Sequence, residues 1–493
     1  MALRLFNTLS GTVEEFRPLV DDEVRMYACG PTVYDYGHIG NFRTFVAIDI
    51  LRRYLRQSGY KVVHVMNITD VDDKIIRNSA KAGVSVDAYT AKYQKAFLED
   101  AAALHIEQPR IVRATENIPS MADFIRRLAE KDFAYRTEDG SYYFRISRFP
   151  SYGKLSKKDF AGMEDGARVD VDEYEKDNAR DFALWKAPKQ GEASWESSIG
   201  PGRPGWHIEC SVMSMQELGE SFDLHAGGED LIFPHHENEI AQSEALTGKP
   251  FVRFWFHARF LLVEGEKMAK SAGNFFTLRD LVLKGQRPSS VRYLLASVPY
   301  RHQLNFTFEG LQQATASVER LRNFRLRLSG RFPPGSSSAM QELASETSGR
   351  LRDALDDDLN TAQAQAAIFD MVRAANAAID SGNLNQEDVP PLLATLIQFD
   401  EIFSVLEDDD ASKMQQVLAW AKEEGREKDA SPELLRVVAS AALSHEEIER
   451  KVAQMKAARA ARNFAASDAI REELNAAGIL IEQTKQGIRW RRI

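Results

Sequence analysis

The chain has 493 residues, 44% of them hydrophobic and 28% charged, so it is long enough to bury more than one core. No apolar run approaches the ~20 residues of a membrane span, and the start, Met-Ala-Leu-Arg-Leu-Phe-Asn, lacks the apolar stretch of a secretory leader. These features exclude a membrane-spanning class and lead to an expectation of a cytoplasmic protein, while a net charge of −10 sends any question of polyanion binding to local rather than total charge.

In chain order, Val24 to Cys29 alternates as a strand does, and a glycine-rich turn follows, ending in Tyr36-Gly-His-Ile-Gly-Asn41. From Phe42 to Gln57 the residues Phe42, Phe45, Val46, Leu51, Tyr54 and Leu55 recur at helical spacing, and Gly59 ends the run. Strand, turn and helix place backbone N–H groups and the positive end of a helix dipole where an anion can bind. Gly37 and Gly40 would let the backbone approach a nucleotide, and His38 could donate a hydrogen bond to a phosphate. Taken alone, the string is equally well read as a loop histidine of any α/β protein.

Arg110 to about Arg203 reads as an insertion, rich in charge and in short strands such as Ser141 to Ile146. From Gly205 the α/β pattern resumes through a strand-like run, Phe254 to Val263, into Glu264-Gly-Glu-Lys-Met-Ala-Lys-Ser-Ala-Gly273. There Lys267 and Lys270 offer mobile point charges to a triphosphate. Solvated lysine pairs are common, but this pair, in this order after the His38 segment, is hard to obtain by chance.

Residues 275 to 328 look helical, with Leu294, Leu311 and Leu321 among the buried candidates. Ser329-Gly-Arg-Phe-Pro-Pro-Gly-Ser-Ser-Ser338 is a linker by composition, and alanine-rich periodicity from Met340 to Phe403 predicts a helical bundle. A second linker, near Glu407 to Asp410 and Glu423 to Ser431, leads to two helices, Ser444 to Ala461 and Ser467 to Ala477, and a hairpin-like end. The expected divisions are therefore 1–110, 111–204, 205–274, 275–330, 340–405 and 430–493. Between Arg450 and Ile493 ten basic residues stand against four acidic ones, a tail of +6 on a body of −16. Local RNA contact would look like this, and so would a solvated helix face, which the residues alone favour.

The chain has two cysteines, Cys29 and Cys210. Cys210 closes Pro201-Gly-Arg-Pro-Gly-Trp-His-Ile-Glu-Cys210, and downstream comes His225-Ala-Gly-Gly-Glu-Asp-Leu-Ile-Phe-Pro-His-His-Glu-Asn-Glu239. On a helix His235 and Glu239 share one face. Two thiolates, an imidazole and a carboxylate would make a four-ligand zinc site, although the spacing is not that of a zinc finger. The arithmetic alone leaves two buried, inert cysteines the better reading, and a disulfide is disfavoured without a secretory leader.

These phrases resemble the cysteinyl-tRNA synthetases, a class I aminoacyl-tRNA synthetase family, over nearly the whole chain. Asn67-Ile-Thr-Asp-Val-Asp-Asp-Lys74, Arg180-Asp-Phe-Ala-Leu-Trp-Lys186, Leu355-Asp-Asp-Asp-Leu-Asn-Thr361 and Gln486-Gly-Ile-Arg-Trp-Arg-Arg492 extend the likeness. The resemblance implies an α/β fold with a Rossmann-like catalytic domain carrying an insertion, then a helical bundle and a small C-terminal anticodon-binding domain. It implies one Zn2+ on Cys29, Cys210, His235 and Glu239, reversing the bare arithmetic. It also implies Mg2+ with ATP, and L-cysteine and cysteine tRNA as further partners; a monomer is expected. His38 and Asn41 would hold phosphates, Lys267 and Lys270 would neutralise departing pyrophosphate, and Asp230 could reach the ATP ribose or simply cap a helix. Thr69, Trp206 and His225 match positions around bound cysteine, each with an ordinary packing alternative. Arg489, Trp490 and Arg491 put an aromatic plane between guanidinium groups, suited to an unstacked anticodon base or, for Trp490, to a small core.

Three positions depart from the family pattern. Ala269 stands where serine is usual, Ala272 where leucine is, and Ile199 where an aromatic is expected. Two other functions compete on the residues: a ligase joining cysteine to an amino sugar on the same core, and an inactive RNA-binding relative. The residues after the Pro-Pro-Gly linker count against the first, and intact His38, Lys270 and four ligand candidates against the second.

Overall fold

The computed structural model describes residues 2–158, 168–169, 181–189, 192–443, 445–484 and 487–492. A five-stranded parallel sheet is built from β1 (Glu23–Ala28), β2 (Lys61–Ile68), β3 (Arg110–Arg113), β4 (Phe222–Gly228) and β5 (Val252–Ala258). In space the order is β5-β4-β1-β2-β3, with every adjacent pair parallel. Because the chain leaves β1 in one direction and later returns to its other side, a crevice opens beyond the carboxyl ends of β1 and β4. Cys29 and the Gly37–Asn41 turn lie at that switch point.

The two-residue period of the strands sorts side chains between two cores. Val24, Met26, Leu224, Ala226, Phe254 and Phe256 point to the face covered by α1 (Ile39–Gln57). Tyr27, Cys29, Val65 and Trp255 point to the opposite face, against α2 (Trp206–Leu218) and α3 (Glu237–Thr247). Alternation brings Cys29 to that side of the sheet, and α2, packed on the same side, carries Cys210 to it.

The helix expected from Phe42 begins at Ile39, because His38 caps it. The strand-like run before the lysines is two strands, β5 and Leu261–Val263, broken at the exposed Arg259 and Phe260. Segment 275–328 contains helices and also a strand, Leu304–Phe306, which pairs with Leu261–Val263. Leu294, Leu311 and Leu321 are buried there.

The insertion forms an antiparallel sheet from Ala134–Arg136, Tyr142–Phe144, Asp181–Lys186 and Arg203–Pro204. Arg180 of the Arg180–Lys186 phrase lies outside the described residues. Ile199, which has no evident function in the sequence, is buried in the core this sheet shares with α2. Helices Ser338–Asp356, Thr361–Ser381 and Val389–Phe403 make the bundle. Helix Pro432–Ala442 sends Leu434 and Val437 into the large core, and a separate small core begins only at Ile448, with Val452, Leu474 and Ile479. Strands Ile479–Thr484 and Gly487–Arg492 pair antiparallel beside it.

Candidate active site and metal centre

At the end of β1 the chain enters the Gly30 loop, where a Cβ would lie 1.7 Å from the Asn67 carbonyl oxygen, so only glycine fits. The Gly30 N–H donates to Asn67 Oδ1 (2.8 Å), and Asn67 Nδ2 donates to Thr69 Oγ1 (3.1 Å), which in turn donates to Glu209 Oε2 (2.8 Å). The rest of the Asn67–Lys74 phrase is structural. Asp70 accepts from Thr115 and pairs with Arg113, Asp72 caps the following helix, and Asp73 meets Lys186 and Arg203 of the insertion.

Cys29, Cys210, His235 and Glu239 converge in the buried space between β1, α2 and the start of α3, with one ligand atom of each within 4.8 Å of the others. The sulfurs are 3.7 Å apart, Cys29 Sγ is 3.7 Å from Glu239 Oε1, and His235 Nε2 is 3.0 Å from the same oxygen. Tetrahedral zinc with Zn–S bonds of ~2.3 Å requires a sulfur separation of about 3.8 Å, so the donors already stand at the spacing of such a site. His235 lies in the turn Ile232–His236 that runs directly into α3, which carries the i, i+4 relation through to Glu239.

Electrostatics fit the same donor set. Burial pushes the Cys29 thiol well up. Cys210 is held at about 6 against its burial by the Cys29 thiol, which donates to it, and by His235. Against burial, Glu239 and Cys210 hold His235 up to about 10, and His225 and His235 hold Glu239 down to about 2. A thiolate and a carboxylate without full neutralisation in a buried space are what a bound cation would offset.

A second donor group shares Cys29 and Glu239 and adds His225 and His236, with His236 Nε2 3.2 Å from Cys29 Sγ and His225 Nε2 2.8 Å from Glu239 Oε2. Sequence reading missed His236, and with it His207 and His257, whose ring nitrogens contact His235 Nδ1 (2.9 Å) and His236 Nδ1 (2.8 Å). For His257 the signal was strand alternation, which puts it with His225 on the face of Tyr27 and Cys29; His207 and His236 lie on a helix and a turn, where that period does not apply. Such outer partners fix the orientation of metal ligands. Trp206, the first residue of α2, stacks on His235 at 4.1 Å. Glu209, also missed, is fully buried and burial raises its carboxyl well above the usual range.

On the nucleotide side, His38 and Asn41 cap α1 reciprocally. The Asn41 N–H donates to His38 Nδ1 (3.2 Å) and the His38 N–H to Asn41 Oδ1 (3.1 Å). An accepting Nδ1 leaves the ring proton on Nε2, and burial, then Lys270, lowers the His38 pKa to about 4. His38 is therefore a neutral donor near pH 7. Gly37 lies against the Phe42 ring, and a Cβ at Gly40 would stand 2.9 Å from His38 Nδ1 and 3.1 Å from Met268 Cε.

The lysine loop folds down on this turn. Met268 meets Gly40, the Phe275 ring meets His38 edge-on at 5.0 Å, and Lys270 Nζ donates to Asp35 Oδ2 (2.6 Å). Lys267 is exposed at the end of a two-residue strand. Asn274, unnoticed in the sequence, closes the loop by accepting from the Ala269 N–H (2.8 Å) and donating to the Lys267 carbonyl (3.2 Å). The loop is thus shaped through backbone at Ala269, with no hydroxyl required there. Asp230 is exposed, and its carboxylate leans back over Gly228 in the short turn Glu229–Leu231.

At the other end of the chain Trp490 is half-buried against the small core, and its Nε1 donates to Glu449 Oε1 (2.6 Å). The side chains of Arg489 and Arg491 lie outside the described residues.

A parallel sheet of this order, a histidine-capped helix at its switch point and a lysine loop closing on that cap define a class I aminoacyl-tRNA synthetase catalytic domain. The family model for the tRNA synthetases class I (C) catalytic domain matches residues 15–316, and a DALR domain matches residues 350–407. Cysteine–tRNA ligases of Koribacter versatilis and Solibacter usitatus are 64% and 54% identical to this chain over 494 residues, each match covering both chains in full. Mycobacterium tuberculosis methionyl-tRNA synthetase bound by methionyl-adenylate shares the fold at 17% identity, with a TM-score of 0.57 over 90% of this chain and 96% of that one. The chain belongs to the cysteine–tRNA ligase family. Among the described residues no helix is long and apolar enough to cross a membrane.

Proposed function

We propose that this site activates L-cysteine with ATP and passes the cysteinyl group to the 3′ end of cysteine tRNA. The observation that carries the reading is the meeting, at one switch point, of the Cys29, Cys210, His235 and Glu239 donor set with the His38 turn and its closed lysine loop. Those four residues would hold one zinc ion. When bound, it supplies a soft, thiolate-preferring centre that separates cysteine from serine, which shape alone discriminates by only ~10 to 200-fold.

Around that centre the chain's own groups orient the substrate. Trp206 stacks over His235 and shields the donor set, while Thr69 and Glu209 form a buried hydrogen-bonded wall beside Cys210. The cysteine carboxylate then attacks the α-phosphate of ATP, the bond to the β-phosphate breaks and pyrophosphate leaves. No enzyme nucleophile is needed, so positioning and charge must carry the rate. Neutral His38 donates through Nε2 to a phosphate oxygen, Lys267 and Lys270 neutralise the departing pyrophosphate, and Mg2+ accompanies ATP. Asp230 would meet the ribose. In the second step the terminal adenosine hydroxyl of the tRNA attacks the cysteinyl carbonyl and AMP leaves.

The amino-sugar ligase reading is disfavoured because the DALR match falls beyond the Pro-Pro-Gly linker and the relatives match through the tail. Cysteine-dependent ATP–pyrophosphate exchange followed by charging of transcribed cysteine tRNA tests the whole scheme. Exchange without charging would restore the small-molecule alternative; absence of both would leave only an inactive relative.

A further inference from the structure

Tyr36 stands two residues before His38, and it does not end in solvent. The Trp420 indole N–H, from helix Asp410–Glu423, donates to its hydroxyl (3.0 Å), with the two rings edge-on at 5.3 Å. The Arg279 guanidinium lies over both rings, 4.8 Å from Trp420 and 5.3 Å from Tyr36, and its Nε donates to the buried Asp100 (2.8 Å). Arg279 belongs to helix Leu278–Leu283, which starts directly after the lysine loop and is capped by Thr277. Thr277 bridges to His38 through backbone, and Phe276 accepts from the Ile39 N–H (3.0 Å). On the same side Arg426 packs on Trp420 at 5.4 Å and pairs with Asp280 of that cap (2.9 Å).

One indole therefore touches the anchor of the His38 turn, 384 residues earlier in the chain, and the anchor of the lysine loop. Beside the apolar core that the two helices share, the contacts include a directed hydrogen bond and two stacked guanidinium groups, which fix orientation as well as distance. We propose that Trp420 is a positioning residue for ATP activation, setting the spacing between the His38 turn and the lysine loop through Tyr36 and Arg279. It touches no reacting atom; it acts through the two segments that do. The inference rests on the reading of those segments as the ATP machinery.

The test is cysteine-dependent ATP–pyrophosphate exchange with the full-length protein, measuring KM for ATP and for cysteine separately. Misplacing a binding group by about 1 Å costs up to ~100-fold. Trp420→Ala should accordingly raise KM for ATP, or lower kcat, on the order of tenfold, with KM for cysteine within about twofold. Trp420→Phe and Tyr36→Phe each remove one partner of the hydrogen bond while keeping a ring, and they keep the proposal testable if the alanine variant does not fold. Each should raise KM for ATP a few-fold, and the double variant should be no worse than either, the signature of one shared interaction. Unchanged ATP kinetics, additive effects in the double variant, or equal losses toward cysteine would overturn the proposal. Lys270→Ala run in parallel separates the two levels: if it abolishes exchange while the Trp420 variants are silent, the coupling fails and the site reading stands; if it too is silent, the site reading fails.

Discussion

In the structure Lys270 is held by Asp35, and the two ways of breaking that contact should have opposite consequences. The ion pair is short, 2.6 Å, but its lysine is 64% exposed and its carboxylate 38% exposed. Pairs of this kind are worth ~0.2–1 kcal/mol, so ATP must overcome at most that much to draw Lys270 onto its phosphates. Asp35→Asn removes the competing charge and keeps the shape. The loop stays closed through Met268 on Gly40, Phe275 on His38 and Asn274 on Ala269. KM for ATP should therefore fall, by about 1.4- to 5-fold, the range to which those energies convert, with kcat little changed. Lys270→Ala removes the charge that meets departing pyrophosphate. Loss of one such preorganised group costs on the order of 100- to 1,000-fold in kcat, while KM for cysteine should hold. Steady-state pyrophosphate exchange on both variants reads all three parameters. If Asp35→Asn loses rate a hundredfold, Asp35 takes part in the chemistry and the latch is misread; if Lys270→Ala weakens cysteine binding as much as rate, the lysine has been assigned the wrong step.

Other consequences can be checked independently. Cys210→Ser replaces a soft donor by a hard one, so zinc content by elemental analysis and cysteine activation should fall together, and protein purified with no stoichiometric zinc would end the metal assignment. His64 is buried with neither ring nitrogen partnered, and burial lowers its pKa to about 3. The unfolded chain takes up a proton near pH 6.5 that the folded chain refuses until about 3, so stability is lost as pH falls through that window. His64→Leu should flatten the acid side of the melting-temperature profile, worth a few kcal/mol at most, and parallel profiles for variant and parent would show that the histidine is solvated after all. Deleting residues after Leu443 removes the separate small core and leaves Leu434 and Val437 in place. At ~1–3 kcal/mol per stacked base, tRNA charging should drop at least tenfold while pyrophosphate exchange survives; a truncated protein that charges normally would refute an anticodon role for the tail.

The parts of the site legible in the sequence are those encoded within a few residues. The His38 turn shows itself because glycine, helix cap and apolar helix face are contiguous, and His235 with Glu239 because one helical turn separates them. The convergence of Cys29 with Cys210 was not readable from their 181-residue separation; it was inferred from resemblance, and its physical cause is that β1 and α2 face each other across one side of the sheet. Strand alternation would have gone further than it was taken, since His225 and His257 fall in phase with Tyr27, Cys29 and Trp255 and so had to join the same face. Asn274, Asp35 and Trp420 were invisible for a different reason. Each acts through side-chain contacts made in or to a loop, and a loop carries no period that could announce where it will be in space. Trp420 is the extreme case: in the sequence it is one aromatic beside the charged run Lys422 to Glu424, and its meaning comes entirely from the fold that returns its helix, Asp410–Glu423, to the mouth of the crevice. The divided legibility follows the physics, because a synthetase crevice is assembled at a topological switch point, where the residues that meet are by construction those farthest apart along the chain.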